Sequence, residues 1–350
     1  MPKILIATNF AHNLAHKRSL VPGTGNYSFY RAFQKAGHEA RALSLDRKGF
    51  NGLQSLSDYL WKFLWFHIKD FPEADEKRFQ SYAVRKVKEL RPDMIFTVVG
   101  NRLRPETVKE MSGHTGANVL WCGLDPERAE WNNVIASVPY YTHIFTVDPH
   151  WIPKFEKWGG KNIYQQDLGV DEEFFKPVEL DPSEKAYYSN DINFVGQWDA
   201  DRVSFFEELA DLNIGVWGHG WTKNVPKGSP LFPKLKPFVI GAEVAKVYNA
   251  CKIVVNVHTP FTDYGINMRT FEAAGCGAFQ IVDRKEGIFK LFKEGEDIVT
   301  FGDIADLREK IKYYLEHEEE RKRIAAKTRE RILRDHRYSD LAENVLRITL

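Results

Sequence analysis

A single arginine gives this sequence its clearest chemical signal. Arg269 stands in the segment 264–278, between two apolar runs typical of buried β-strands, 253–257 and 279–283. The segment therefore predicts the loop and helix of a β-α-β unit, with Asn267 as the N-cap of the helix. Arg269 then falls in the first helical turn, where the helix dipole disfavours a cation. An arginine placed there often holds an anion, and a nucleotide diphosphate lies at this end of a helix that follows a parallel strand.

The same helix has two possible ends and one possible ion pair. Gly275 and Gly277 are both suitable for ending it, because glycine readily adopts the left-handed backbone of a C-terminal cap. Arg269 and Glu272 are three positions apart and could pair on the helix surface. This ion pair is the alternative to anion binding by Arg269.

Composition limits the class of protein. The chain has 350 residues, which favours two domains, and its formal net charge is +1. So small a charge argues against a protein that binds nucleic acid through non-specific phosphate contacts. The three cysteines, Cys122, Cys251 and Cys276, form no C-x-x-C pair, which favours buried thiols in a reducing compartment. Residues 1–8 are too short an apolar run for a signal peptide, and no run is long enough to cross a membrane, so we expect a cytoplasmic protein.

The most apolar segment of the chain is 60–68, which is interrupted by Lys62 and His67. Its pattern predicts a buried helix. A helix that lies on a membrane surface is the alternative, and its weakly basic polar face disfavours that alternative.

Apolar strands alternate with helical patterns in both halves of the chain. The predicted strands of the first half are 4–7, 38–45, 94–99, 119–124 and 144–147, and the second half repeats this plan from residue 192. Continuous apolar strands between helices are typical of doubly wound parallel sheets. We therefore predict an α/β protein with two Rossmann-like domains, 1–170 and 171–335, that face each other across a cleft. A C-terminal helix, 336–350, is expected to pack back on the first domain.

Several short motifs of the second half occur in a shared order. They are Phe194-Val195-Gly196 with Arg202, Gly218-His219-Gly220-Trp221, Asn267-x-Arg269-x-Phe271-Glu272-x-x-x-Cys276-Gly277, and His336-Arg337-Tyr338. In that order they resemble the glycosyltransferases of the GT-B fold, and more specifically the CgeB-type (spore maturation protein) branch. The resemblance covers 191–338, and the first half matches less clearly, at 22–27 and 121–126. It implies transfer of a sugar from a nucleotide diphosphate.

The resemblance assigns the donor site to the helix after Asn267. Glu272 matches the glutamate whose two oxygens accept hydrogen bonds from the ribose hydroxyls in that family, with an exposed helix charge as the alternative. Arg269, together with Asn267 and Met268 and the backbone of the turn, is expected to hold the diphosphate. Arg202 is a second candidate cation for the leaving diphosphate, with an ordinary surface arginine as the alternative.

Glycine-rich loops and aromatic rings supply the other donor contacts that the resemblance implies. The expected contacts from the loops are those of Gly23, Gly25, Asn26, Gly196, Gly218, Gly220 and the backbone of Ile240. An ordinary flexible turn is the alternative for the first of these loops. Trp217 or Trp221 is expected to stack on the base or the sugar, and core packing is an equal alternative.

Two further places in the chain could contribute chemistry. Asp125 could act as general base or orient the acceptor hydroxyl, and a helix N-cap before Pro126 is the alternative. His258 and Asp263 precede the motif helix and either could touch the sugar, although a loop histidine is more often structural. Many retaining relatives carry a glutamate where this chain has Tyr264, which leaves the sugar and the stereochemical outcome open.

We therefore expect a glycosyltransferase that moves a sugar from a UDP-linked donor to an acceptor hydroxyl, with retention of configuration. The resemblance implies no bound metal and no cofactor, since the nucleotide-sugar is a substrate. The sequence does not specify the acceptor, which could be a glycan, a protein or a small molecule. Two alternatives keep the fold: a catalytically silent nucleotide-sugar-binding protein or subunit, and a nucleotide-sugar epimerase.

Overall fold

The computed structural model divides the chain into two compact units. It describes residues 1–9, 21–46, 56–123, 125–127, 132–259 and 264–350. The first unit contains residues 1–167 together with the C-terminal residues 338–350, and the second contains residues 168–337. Asp263, a candidate for sugar contact, lies outside the described residues.

Within the described ranges, the first unit is built on a parallel sheet of six strands. In chain order the strands are β1 (Lys3–Thr8), β2 (Glu39–Ser44), β3 (Met94–Val98), β4 (Ala117–Cys122), β5 (His143–Thr146) and β6 (Ile163–Gln165). They lie in the order β2-β1-β3-β4-β5-β6, so the strand order reverses between β1 and β3. All residues of β3 and β4 are buried, as expected of apolar strands covered on both faces.

The described part of the second unit is built on a parallel sheet of five strands. They are β7 (Asn190–Val195), β8 (Ile214–Trp217), β9 (Cys251–Asn256), β10 (Gln280–Asp283) and β11 (Val299–Phe301). Their order is β11-β10-β9-β7-β8, so the strand order reverses between β7 and β9. Together the two parallel sheets confirm the predicted α/β fold class.

Helices connect the strands in both units. In chain order they are α1 (Gly25–Lys35), α2 (Leu56–His67), α3 (Phe71–Leu90), α4 (Pro105–Ser112), α5 (Asn132–Ser137), α6 (Ile152–Lys157), α7 (Pro182–Tyr188), α8 (Ala200–Glu207), α9 (Trp221–Asn224), α10 (Glu243–Asn249), α11 (Met268–Gly275), α12 (Glu286–Leu291), α13 (Ile304–Glu316), α14 (Glu318–Asp335) and α15 (Tyr338–Thr349). Short 3-10 helices occupy Val138–Tyr140, Pro149–Trp151 and Phe232–Lys234. The C-terminal helix α15 packs against α1 in the first unit, where the ring centroids of Phe29 and Tyr338 are 4.9 Å apart.

Helix α2 differs from the prediction for 60–68. The segment is helical, but Leu60, Phe63 and Phe66 are 57%, 56% and 65% exposed, so the predicted burial is wrong for this face. Trp61, on the opposite face, packs its ring 5.2 Å from that of Phe71 at the start of α3. Across the described ranges, no helix has both the length and the apolar composition that crossing a membrane requires.

Candidate functional site

The predicted donor site lies at the carboxyl end of the second sheet. Open α/β sheets bind ligands at this edge, where the strand order reverses. In this unit the reversal falls between β7 and β9, and the loops that leave these strands begin at Gly196 and Val257. Helix α11 starts on the same side of the sheet, because it follows β9 in a parallel β-α-β unit.

Helix α11 begins as the sequence predicts. Asn267 has extended backbone, and its side-chain Oδ1 accepts a hydrogen bond from the N–H of Thr270 at 3.1 Å, which confirms it as the N-cap. Gly277 has a φ of +68°, the left-handed conformation that follows a helix end. Gly275 is still helical, and a Cβ there would lie 2.7 Å from the carbonyl oxygen of Phe175, so close packing requires this glycine.

Arg269 and Glu272 form the ion pair that their spacing allowed. Nη1 of Arg269 donates to Oε2 of Glu272 at 2.6 Å. The Glu272 side chain is 4% exposed, so it is not an exposed helix charge, whereas that of Arg269 is 28% exposed. Burial raises the pKa of the Glu272 carboxyl, and the neighbouring guanidinium opposes that shift. The bond to Glu272 uses one of the five guanidinium N–H donors, so pairing does not prevent Arg269 from holding a phosphate.

The second oxygen of Glu272 is available to a ligand. Within the described part of the chain, Oε1 accepts no hydrogen bond from the protein. The Glu272 side chain is 4% exposed, so Oε1 has lost most of its water without gaining a hydrogen-bond donor from the described residues. The arrangement therefore suits a ligand that brings hydroxyl donors to Glu272.

His258 is part of the framework of the site rather than of its surface. Its side chain is fully buried, its Nδ1 lies 2.6 Å from Oδ1 of Asp283, and its Nε2 lies 2.9 Å from the backbone nitrogen of Asn267. His258 therefore has the structural role that was the alternative to contact with the sugar. The sequence analysis did not predict the role of Asp283. The feature that could have revealed it is a carboxylate at the end of β10, the strand that pairs with β9 just before His258.

Arg202 is buried, so the alternative of an ordinary surface arginine is wrong. Its Nη1 donates to the carbonyl of Gln197 at 3.0 Å, and its Nη2 donates to the carbonyl of Val257 at 2.6 Å. Burial lowers the pKa of its guanidinium. Arg202 thus ties the loop after β7 to the loop after β9, and its contact with a leaving diphosphate stays a prediction.

Trp217 and Trp221 lie in the core of the second unit. Both residues are 0% exposed. Nε1 of Trp217 donates to Oδ1 of Asn193 at 3.0 Å, and Nε1 of Trp221 donates to the carbonyl of Gly196 at 2.8 Å. Core packing, the alternative to stacking, therefore describes both rings, because neither has a face open to a base or a sugar.

The glycines after β7 and β8 are required by close packing of the two loops. Gly218 has a φ of +146°, and a Cβ on it would overlap the carbonyl oxygen of Gly196. A Cβ on Gly196 would overlap the ring of Phe194, and Gly220, with a φ of +90°, precedes α9. Contact between these backbones and a nucleotide stays a prediction, as does contact from Ile240.

In the first unit, the predicted glycine loop lies between β1 and α1 in the sequence and leads into α1. Gly23 has a φ of +79°, and Gly25 is the first residue of the helix. A Cβ on Gly25 would lie 2.7 Å from the hydroxyl of Tyr338, so glycine allows α15 to approach. Asn26 donates through Nδ2 to the carbonyl of Asn9 at 2.8 Å, which joins α1 to the end of β1.

Asp125 has the local role that capping rules allow. Its Oδ1 accepts a hydrogen bond from the backbone N–H of Glu127 at 3.0 Å, as in a turn that Asp initiates. This bond occupies one carboxylate oxygen and leaves the general-base role of Asp125 as a prediction.

Known proteins resemble this chain in sequence and in fold. Residues 202–347 match the model of the family described as glycosyl transferase-like. The spore protein CgeB of Bacillus subtilis (strain 168) is 24% identical over 277 residues, which are 75% of this chain and 82% of that protein.

Solved structures with the same fold span the whole chain. HepE of Anabaena, in complex with UDP-glucose, superposes with a TM-score of 0.67 at 13% identity, covering 99% of both chains. Sucrose-phosphate synthase of Thermosynechococcus elongatus superposes with a TM-score of 0.66 at 12% identity, covering 99% of this chain and 98% of that one. Residues 202–347 thus match the glycosyl transferase-like family, and the chain is a glycosyltransferase of the GT-B fold that is similar to CgeB.

Proposed function

We propose that this glycosyltransferase takes its sugar from a UDP-linked donor and passes it to an acceptor hydroxyl, without a bound metal and with retention of configuration. Glu272 is the observation that carries the proposal. It is a buried carboxylate on α11 at the ligand-binding edge of the second sheet, with one oxygen paired to Arg269. Its other oxygen has no partner among the described residues and is free to accept from a ribose hydroxyl.

The surroundings of Glu272 support a nucleotide diphosphate as the ligand. Hydrogen bonds to a desolvated carboxylate are stronger than those to an exposed one, so a ribose would gain affinity here. Arg269, one turn away and partly exposed, supplies a cation for the diphosphate. HepE has been crystallised with UDP-glucose and with UDP and glucose, and this neighbour of the same fold supports uridine as the nucleotide.

The proposed reaction exchanges one bond at the anomeric carbon of the sugar. The bond from that carbon to the β-phosphate oxygen breaks, and a bond to the acceptor oxygen forms on the same face. The acceptor proton passes to the departing phosphate oxygen. Arg269 stabilises the negative charge that develops on the diphosphate, and the main value of such a contact lies in the transition state.

We assign the donor to the second domain and the acceptor to the first. The donor side includes Glu272, Arg269 and the start of α11. The acceptor side includes the loop of Gly23 and Gly25 after β1 and Asp125, whose second carboxylate oxygen bonds to none of the described residues. The acceptor is a glycan, a protein or a small molecule.

A thermal-shift screen tests the donor assignment. Wild-type protein and Glu272→Ala would be heated with UDP, GDP, ADP and dTDP in the presence of a metal chelator. A nucleotide at 100 times its dissociation constant adds about 2.7 kcal/mol to the free energy of unfolding. We expect UDP to stabilise the wild type and to stabilise the variant much less. Stabilisation by another nucleotide would overturn the choice of uridine, and equal stabilisation of both proteins would overturn the role of Glu272.

Release of UDP from UDP-sugars distinguishes the three possible activities. A transferase releases UDP in proportion to an added acceptor, and the anomeric configuration of the product, read by NMR, tests retention. A silent binding protein would bind the donor and leave it intact across a broad acceptor panel. An epimerase would convert the sugar without any acceptor.

A further inference from the structure

One histidine links three elements of the donor site. His258 follows β9, and its side chain is fully buried. Asp283, the last residue of β10, accepts from the backbone N–H of His258 at 2.9 Å and lies 2.6 Å from its Nδ1. On the other side of the ring, Nε2 lies 2.9 Å from the backbone nitrogen of Asn267, the N-cap of α11.

The partners of the ring determine where its proton lies. A backbone N–H can only donate, so Nε2 of His258 must accept from Asn267. The remaining ring proton then belongs to Nδ1 and is donated to the Asp283 carboxylate. The imidazole is therefore neutral, with a tautomer fixed by the carboxylate, as in histidines that carboxylates orient at other functional sites.

Asn267 is held from a second direction by β9. Its Nδ2 donates to Oδ1 of Asn256 at 2.9 Å, while its own Oδ1 accepts from Nδ2 of Asn256 at 3.2 Å. The Asn256 amide also donates to the hydroxyl of Thr270 at 2.9 Å. The side chain of the N-cap is therefore fixed by Asn256, whereas its backbone N–H is fixed by His258.

We propose that His258, oriented by Asp283, is a positioning residue for the donor: by holding the backbone of Asn267 it sets where α11 begins. Arg269 and Glu272 are two and five residues further along this helix, so a shift of its start displaces both donor-binding side chains. This inference rests on the donor site proposed above. Displacements of about 1 Å are enough to cost two orders of magnitude in an active site.

Binding of UDP, measured by isothermal titration calorimetry, tests the inference with four proteins. His258→Leu removes the acceptor for Asn267, and His258→Gln can return an amide oxygen near the position of Nε2. Asp303→Ala is the matched control, because Asp303 caps α13 in the same domain by accepting from the N–H of Asp306. We expect His258→Leu to weaken UDP binding about tenfold or more and His258→Gln to stay within about threefold of wild type. Asp303→Ala should lower the thermal midpoint and leave the affinity for UDP unchanged.

The outcomes separate this inference from the proposed function. If wild type binds UDP and His258→Leu binds it equally well, the positioning role is wrong and the donor assignment stands. If His258→Gln binds UDP as weakly as His258→Leu does, the hydrogen bond to Asn267 does not determine the affinity and the inference is overturned. If wild type binds no UDP, the proposed donor is wrong and the inference falls with it.

A second pair of variants covers the case in which His258→Leu does not fold. Asp283→Asn keeps an acceptor oxygen for His258, whereas Asp283→Ala removes it. We expect Asp283→Asn to bind UDP within about threefold of wild type and Asp283→Ala to bind it about fivefold more weakly. Equal affinities of the two Asp283 variants for UDP would contradict the role of the His258–Asp283 pair.

Discussion

Nη1 of Arg269 lies 2.6 Å from Oε2 of Glu272, one turn further along the same helix. Helix stability is a poor explanation for this pair, because arginine before glutamate is the weaker order and a cation in the first turn opposes the helix dipole. The pair is also costly, since Glu272 is buried. The donor site proposed above accounts for the pair: in that proposal the ion pair neutralises the carboxylate until the hydroxyl donors of the ribose arrive.

The ribose hydroxyls should account for the effect of Glu272. We expect wild type to bind UDP at least about tenfold more tightly than 2′-deoxy-UDP, because a hydrogen bond to a charged group contributes about 1.5–3 kcal/mol. In Glu272→Ala the two ligands should bind alike. Calorimetric titration of both proteins with both nucleotides gives a double-mutant cycle, in which any general damage from the substitution cancels. An unchanged preference for UDP in the variant would place the ribose elsewhere.

Local rules were sufficient for the fold class and for the start of α11. The cap at Asn267 depends on a side chain that bonds three residues further along the chain. The end of the helix at Gly277 depends only on the ability of glycine to adopt a positive φ. The alternating strands and helices likewise follow from apolar runs that are read within each segment. Such features are visible in a single sequence because nothing distant determines them.

Features that depend on distant partners could not be predicted in the same way. The indole N–H of Trp217 bonds to Asn193, 24 residues away. In the sequence, a tryptophan that packs in a core cannot be distinguished from one that stacks on a base. Arg202 is held by the carbonyl of Val257, 55 residues away, which no spacing in the sequence reveals. The prediction that α2 is buried failed for a related reason. Apolar periodicity shows that a helix has an apolar face, but it does not show what covers that face.

The stability lost in Arg269→Gln should depend on pH. Burial raises the pKa of Glu272 above its ordinary value of 4.5, and Arg269 opposes that shift, so the substitution raises this pKa further. A carboxyl whose pKa is higher in the folded state stabilises the fold below its unfolded pKa and loses that contribution as the pH rises through the folded value. We expect Arg269→Gln to cost about 2–4 kcal/mol at pH 8 and less at pH 5, measured by urea unfolding. A difference from wild type that is the same at both pH values would contradict the ion pair.

Trp217 should matter for stability and not for donor binding. Trp217→Phe removes the hydrogen bond from Nε1 to Asn193 and part of a fully buried ring. We expect a loss of about 1–3 kcal/mol in the free energy of unfolding, with UDP affinity within about threefold of wild type. Urea unfolding and calorimetry on the same preparation provide both values. A large loss of UDP affinity at normal stability would restore the stacking role that the buried position argues against.

The close approach of the loops after β7 and β8 should make Gly218 intolerant of any side chain. Gly218→Ala places a Cβ against the carbonyl oxygen of Gly196 at a φ of +146°, where a backbone atom rather than a flexible side chain would have to move. Gly228→Ala is the matched control in the same domain, because a Cβ there meets no atom within 4 Å and the backbone is not left-handed. We expect Gly218→Ala to cost about 3 kcal/mol or more and Gly228→Ala to be neutral or to stabilise by about 0.4–1 kcal/mol. Urea unfolding of the two variants beside wild type measures both effects, and equal stabilities would mean that the two loops do not pack as closely as the structure has them.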